Sequence, residues 1–475
     1  MKPIITFIIL SLLPFFAWAQ LGTIDPAFSI GTGAGGGLTQ KRIETVVQQP
    51  DGKLLLGGWF TDFNEIPNNR IVRLHPNGTV DATFVVGTGF EGVSSYVNDI
   101  ALQPDGKIVV GGNFLNYNGV TRHRIVRLHP NGALDESFNP GTGFNSDVNS
   151  IAIQPDGKIV VGGIFTFFDW LNNGGVPRQG VARLNSDGSL DTSFDAGIGF
   201  TSEVGQTNVR TVLVQPDGKV ICAGIFNHYK GTIRTLIARL NQDASLDTTF
   251  DAGPNFSFMF GSHGAAMKTV LLPDGKIITA GTFRHIGADS KAIVKLNADG
   301  SHDPSLAIDL GNISALTVQS DGKLLIGSVP FTLKRYLSTG AEDPSFPATT
   351  FNNWIRHCMV QEDGNIVIGG WFSYNPSGLI RLIGDTPLSL EDYSATLDAV
   401  MYPNPSSHHV TIALDDAVFE GQVQIQVLDM QGRRVKQFES NDSSTTVPVN
   451  DLPKGTYLVQ INTTASQIVK KLVVH

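Results

Sequence analysis

The sequence predicts an all-β chain, a seven-bladed β-propeller followed by a small Ig-like β-sandwich. Three observations predict it. An Asp-Gly turn between apolar runs recurs seven times, at Asp51, Asp105, Asp156, Asp217, Asp274, Asp321 and Asp363. Gly (52) and Pro (24) are plentiful, and no long helical periodicity runs through the chain. After Gly384 the repeat stops, and short alternating strands with turn signals run to the end.

The chain opens on Lys2 and an apolar run from Ile4 to Phe16, followed by Ala17-Trp18-Ala19. Small residues at Ala17 and Ala19 suit a signal peptidase, so residues 1–19 are expected to be a secretory signal peptide cut before Gln20. The run is shorter than the ~20 apolar residues of a spanning helix, and no later stretch is expected to cross a bilayer. No cysteine lies near the cut, which argues against a lipoprotein.

Residues 20–383 are expected to hold the repeats. In VNSIAIQPDGKIVVGGIF, two apolar strands flank Asp156-Gly157, where glycine accepts the positive φ of a hairpin turn. A variable stretch follows, then a third strand and a second turn, GVARLNSDGSLDTSF. Four strands cannot bury both faces alone, and spacings of 42 to 61 residues signal an array. The second halves carry Asp25, Asp81, Asp135, Asp191, Asp247, Asp303 and Asp343. The first of these is an orphan, LGTIDPAFSIGTG, and the last unit stops at GLIRLIGD without its own. An open solenoid has no use for that offset. A ring uses it to join its first and last blades.

The recurring residues read as architecture. Glycine pairs such as Gly162-Gly163 weaken a strand unless a neighbour must approach closely, so they predict packing between blades. Phe60, Phe114, Phe165, Phe226, Phe283, Phe331 and Phe372 are expected in the same layer. Arg73, Arg127, Arg183, Arg239, Lys295 and Arg335 each precede a repeat Asp by eight residues and are expected to bridge to it. Arg381 would reach Asp25 through the closure. Cys222 and Cys358 fall at non-equivalent strand positions, which predicts free, buried thiols. No cofactor or metal is expected. Turns such as Asn185–Asp191 resemble truncated calcium loops, but a full loop needs more oxygen ligands.

Net charge is −9, from 34 basic and 43 acidic residues, so nothing favours nucleic acid or an anionic membrane. No metal-ligand spacing, nucleophile elbow or phosphate loop occurs. Ionisable candidates for an axial enzyme site (Glu44, Asp99, Arg210, Lys268, Arg356 and His357) read as scattered, without a repeated spacing. The variable loops emerge together at one end and carry aromatic side chains. Phe63, Tyr117, Phe168, Trp170, Tyr229, Phe258, Trp371 and Tyr374 are the expected ligand face, suited to glycans or proteins. The alternatives are a secreted hydrolase or lyase at the axis, or a structural surface component.

The pattern QPDGKIVVGG-x-F followed by RLN-x-DGSLDTSF resembles the delta-60 repeat of secreted bacterial proteins. Repeat six departs from it, with Gly327-Ser328-Val329-Pro330-Phe331, and repeat seven has Asn365 for lysine. The resemblance implies a propeller-like fold and carries no activity. Beyond a linker at 384–398, residues 399–475 resemble the C-terminal sorting domain of the type IX secretion system of Bacteroidetes. The matching positions are Tyr402-Pro403-Asn404-Pro405, Gly432, Gly455, Tyr457 and Lys470-Lys471. The resemblance implies export by the type IX machinery, removal of the tail, and release or attachment at the outer-membrane surface.

Overall fold

The computed structural model describes residues 21–36, 41–92, 94–172, 174–203, 205–253, 256–258, 266–285, 292–373, 377–385, 399–414, 423–429, 434–462 and 467–474. The chain divides into two compact units, Met1–Asp385 and Thr386–His475.

In the first unit, the sheet around the third turn is representative. Val148–Ile153 pairs with Ile159–Gly163, which pairs with Val181–Leu184, and Leu184 bridges to Leu190 where a fourth strand begins. Six other sheets among the described residues repeat the first two pairings, with inner strands Arg42–Gln48, Tyr96–Leu102, Asn208–Val214, Ala266–Leu271, Ile313–Val318 and Ile355–Val360. Each inner strand packs beside the next, and Ile355–Val360 packs beside Arg42–Gln48. The inner strands therefore close on themselves.

The closure uses the orphan half-repeat as the sequence predicts. Ile24 bridges Leu382, and the Asp25 N–H donates to the Arg381 carbonyl at 2.9 Å. Apolar side chains complete the join, because Ile43, Val46 and Leu54 share one core with Val367 and Leu379. The remaining cores likewise lie between consecutive sheets, as where Leu55 and Ile71 pack with Val97 and Val110.

The two glycines of each pair have different reasons. A Cβ on Gly111 would lie 2.4 Å from Val148 of the next sheet, so the first glycine admits the neighbouring inner strand. A Cβ on Gly112 would lie 2.2 Å from the Tyr96 carbonyl oxygen of its own sheet. There the inner strand carries a β-bulge, the register slipping between Val97 and Asp99. The same slip occurs in all seven inner strands. The second glycine makes room for the bulge.

The recurring arginines pair as expected. Arg73, Arg127, Arg183, Arg239, Arg335 and Arg381 donate Nε to Asp81, Asp135, Asp191, Asp247, Asp343 and Asp25 at 2.7–2.8 Å. The turn lysines complete the cluster, with Lys158 Nζ 2.9 Å and Lys219 Nζ 2.8 Å from the same carboxylates. The guanidinium also clamps adjacent sheets, for Arg239 donates to the Ala298 carbonyl at 2.6 Å and Arg381 to that of Pro76 at 2.8 Å. Both cysteines are free and buried. Among the recurring phenylalanines, Phe331 of the irregular sixth repeat is only half-buried, whereas Phe60, Phe114, Phe165, Phe226 and Phe372 are fully buried.

The loops opposite the Asp-Gly turns are more regular than their sequences suggest. They form small ribbons, such as Asn116–Tyr117 between Val120–Thr121 and Phe90–Glu91. Three of the ribbons are pinned by triples of packed rings, as where Phe90 lies 4.4 Å from Phe114 and 4.8 Å from Tyr117 between centroids.

The second unit holds two antiparallel sheets, Ala399–Tyr402, His409–Leu414 and Ser444–Pro448 in one, and Arg434–Ser440, Val423–Leu428, Gly455–Asn462 and Gln467–Val474 in the other. Val423, Ile425 and Val427 are buried while Gln424 and Gln426 are not, the period-two pattern of a sheet with one core face. Val410, Ile412 and Val447 of the first sheet share the core with Val459 and Leu472 of the second.

Candidate functional site at the propeller axis

The bulges determine what faces the axis. A bulge sets two consecutive residues against one partner and re-aims their side chains. Glu44 and Thr45, Asn98 and Asp99, Asn149 and Ser150, Arg210 and Thr211, and Arg356 and His357 occupy this pair of positions, with Lys268 at the second one of its strand. They line two adjoining cavities of about 200 and 70 Å³ that share Glu44, Asn98, Asn149, Arg210 and Lys268. The bulges lie near the starts of the inner strands, so the cluster faces the end with the variable loops.

This corrects the sequence-based expectation that the axial candidates are scattered. Glu44, Arg210 and Arg356 each stand seven residues ahead of the turn aspartates Asp51, Asp217 and Asp363. Asp99, Lys268 and His357 each stand six ahead of Asp105, Asp274 and Asp363. The position repeats although the residue type does not, and a search for repeated residue types passes over it.

The charges are unequally engaged. Asp99 accepts from the Ile100 N–H at 2.9 Å and from the Ile151 N–H of the next inner strand at 2.8 Å, which uses both oxygens. Ser150 does the same structural work one sheet on, accepting from the Val212 N–H at 3.1 Å. Burial pushes the Asp99 carboxyl up to about 6, against the opposing pull of the Ile151 N–H and Lys268. Glu44 lies 2.6 Å from Arg42 and 3.9 Å from Arg356. Among the described residues, neither Arg210 nor Lys268 has a carboxylate ion-pair partner. Burial lowers both, and the Arg356 charge lowers Arg210 further. Burial and then the Lys268 charge bring His357 down to about 3, so its imidazole is neutral near pH 7.

The aromatic candidates divide differently. Phe63, Tyr117, Phe168 and Tyr229 are buried. Three of them complete the ring stacks that anchor the ribbons, and Phe63 stands edge-on to Phe60 at 6.4 Å. Their sequence signal is a constant offset, each standing three residues after Phe60, Phe114, Phe165 or Phe226. Trp170 is exposed and Trp371 half-buried. The side chain of Phe258 and the whole of Tyr374 lie outside the described residues, as do Ala17, Ala19 and Gln20.

A larger cavity of about 520 Å³ lies at the opposite end, lined by Leu271, Ile278, Lys295 and Leu324. Its cation, Lys295, is already 3.6 Å from Asp303.

The repeat family described as domain of unknown function (DUF5122) beta-propeller matches residues 49–84, 103–138, 154–194, 215–250, 272–306 and 361–383, passing over the irregular sixth repeat. The family described as secretion system C-terminal sorting domain matches residues 400–475. The chain carries β-propeller repeats and a type IX sorting domain. No curated protein matches the sequence closely enough to serve as a relative. Among solved structures, the extracellular domain described as that of a one component system, BT4673 from B. thetaiotaomicron, shares 11% identity at a TM-score of 0.43. That match covers 96% of this chain and 58% of the other. Virginiamycin B lyase from Staphylococcus aureus shares 11% at 0.44, covering 73% and 95%, and U3-55K shares 13% at 0.49, covering 76% and 100%. These likenesses are too distant to transfer an activity.

The sorting domain makes the type IX machinery the export partner and places the protein outside the cell or at its outer surface. No helix among the described residues is long and apolar enough to cross a membrane. Within the sorting domain, Asn404 ties its segment to the final strand, donating to the Lys471 carbonyl at 2.6 Å and accepting from the Val473 N–H at 2.9 Å. Ser406, next to Pro405, adds a backbone bond to Val473 at 2.9 Å. Tyr457, in the strand that Gly455 opens, donates its hydroxyl to the Pro453 carbonyl at 2.7 Å. Tyr402 is exposed, Lys470 and Lys471 lie in the last strand, and Gly432 is outside the described residues.

Proposed function

We propose that the protein is a secreted or surface-held seven-bladed propeller, residues 20–383, that binds an extracellular glycan or protein at its variable-loop end. An Ig-like sandwich, residues 399–475, follows a linker at 384–398 and directs export, and residues 1–19 are the signal peptide. The blade count is supported by seven equivalent inner strands, the last beside the first. The observation that carries the binding role is the convergence of Arg210, Lys268 and Arg356 in cavities at that end. Rigid strands hold the cations, and low-dielectric walls focus their field toward the mouth. Trp170 and Trp371 supply ring surface on the surrounding loops.

The hydrolase or lyase alternative has one observation in its favour, the raised carboxyl of Asp99 within the same cavity. Both Asp99 oxygens are occupied by backbone N–H groups, which fits a positioning role better than proton transfer. A glycan array and polysaccharide retention assay with the secreted protein tests the reading, with product release monitored in parallel. Retention that Arg210→Gln reduces supports binding at the axis. Release of shortened products would establish the enzyme instead, and absence of both would leave a protein ligand or the structural surface role.

A further inference from the structure

The axial mouth has more positive charge than its carboxylates answer. Among the described residues, and counting the rim, the cations Arg42, Arg210, Lys268 and Arg356 stand against Glu44, Asp99 and Asp147, the last accepting from the Tyr96 hydroxyl at 2.5 Å and lying 4.0 Å from Arg124. Glu44 is engaged by Arg42 and Arg356, and both Asp99 oxygens hold backbone N–H groups. Arg210, whose Nε and Nη2 both donate to the Asn208 side-chain oxygen at 3.1 Å, and Lys268 remain without a carboxylate, half-buried and facing a cavity of about 200 Å³. That volume is below the ~300–1,000 Å³ of sites for drug-sized ligands, so it suits one small unit of a longer molecule. Arginine favours a planar, bidentate anion such as a carboxylate.

The rest of the lining narrows the class. Asn98, Asn149, Ser150 and Thr211 surround the cations with neutral amides and hydroxyls, groups that both donate to and accept from alcohols. At the rim the Arg42 guanidinium lies 4.8 Å from the Trp59 ring and 5.5 Å from that of Tyr96, and Arg356 lies 5.7 Å from that of Trp354. All three rings are only partly buried. Carboxylate recognition, hydroxyl partners and flanking rings together describe an acidic sugar.

We propose that the axial mouth binds a uronate residue of an extracellular polysaccharide, its carboxylate held by Arg210, Lys268 and Arg356. The proposal rests on the reading of this end as a ligand-binding face and names its ligand class. The test is calorimetric titration of the full secreted chain with oligomers of galacturonate and glucuronate, their neutral galactose and glucose counterparts, and poly-glutamate. The acidic oligosaccharides should bind at least about tenfold more tightly than the neutral ones, with affinity falling as salt rises. Arg210→Gln and Lys268→Gln should each weaken binding about tenfold with unchanged circular dichroism and melting midpoint, and Arg356→Lys, which keeps the charge but loses the fork, should weaken it less. Neutral oligomers bound equally well, with no effect of these variants, would overturn the acidic class while leaving a sugar-binding face. Tighter binding of poly-glutamate would overturn the saccharide in favour of an acidic peptide. If none of the probes binds, this proposal falls, and a glycan array without hits would remove the glycan part of the binding-face reading and leave a protein ligand.

Discussion

At the residue scale, Asp99 and the blade aspartates show opposite titration. The Asp99 carboxyl, pushed up to about 6 by burial, is charged at pH 7 and opposes an anionic ligand. As pH falls through 6 it becomes neutral, while His357, held down to about 3, does not yet titrate. Affinity for an acidic oligosaccharide should therefore rise between pH 7 and pH 5, and Asp99→Asn should flatten that rise in titrations at constant salt. The blade aspartates behave in reverse. Burial alone would raise Asp81, Asp135, Asp191 and Asp247, but their hydroxyl, lysine, arginine and backbone partners outweigh it and hold each well below the usual carboxylate range. In Asp303 the Lys276 hydrogen bond is the largest cause of the same direction.

At the element scale, the bulged inner strand and its glycine form one device. The bulge aims two adjacent side chains at the axis, and glycine stands opposite it in every described sheet except the irregular sixth, where Ser328 takes the place. Gly112→Ala sets a methyl 2.2 Å from the Tyr96 oxygen and should cost about 1–3 kcal/mol, read as a lowered denaturant midpoint. Gly119 has φ +76° but nothing within 4 Å of an added Cβ, so Gly119→Ala should cost only the conformational penalty of about 1 kcal/mol. Equal losses at the two positions would mean the bulge is not tightly held. The aromatic ribbons show what element-level packing removes from the surface. Tyr117 and Tyr229 read as ligand-facing rings, yet their hydroxyls end on the carbonyls of Gly132 and Ala244 inside the fold.

At the scale of the whole molecule, stability depends on closing the ring and on charge. Arg381 and Asp25 are both nearly buried and join the two ends of the propeller across the whole repeat array. Arg381→Ala leaves the Asp25 carboxylate buried without its partner and should cost about 3–5 kcal/mol, whereas the pair Asp25→Asn with Arg381→Met should cost less. Urea unfolding of the three proteins checks this, and equal stability of wild type and Arg381→Ala would show that closure rests on the apolar core alone. The depressed blade aspartates contribute stability that is present above the unfolded carboxylate pKa of ~3.9 and lost as pH falls toward their folded values. The melting midpoint should hold nearly level from pH 7 to about 4.5 and drop steeply below 4.

The sequence by itself determined the repeat, its closure and the sorting tail. Turns, glycine pairs and Arg–Asp offsets are local or periodic signals, and the orphan half-repeat ahead of Arg42 shows in the chain order alone. It also contained the offsets that separate core from site, three residues past each repeat phenylalanine and six or seven ahead of each turn aspartate. What those offsets mean was decided only in three dimensions. A bulge is a mismatch between two strands, so one strand's sequence does not announce that Arg210, Lys268 and Arg356 face a common space. The axial residues differ in type from repeat to repeat because each meets the others across the channel rather than its own neighbours. Their chemistry belongs to the closed ring, and none of the seven units holds it alone.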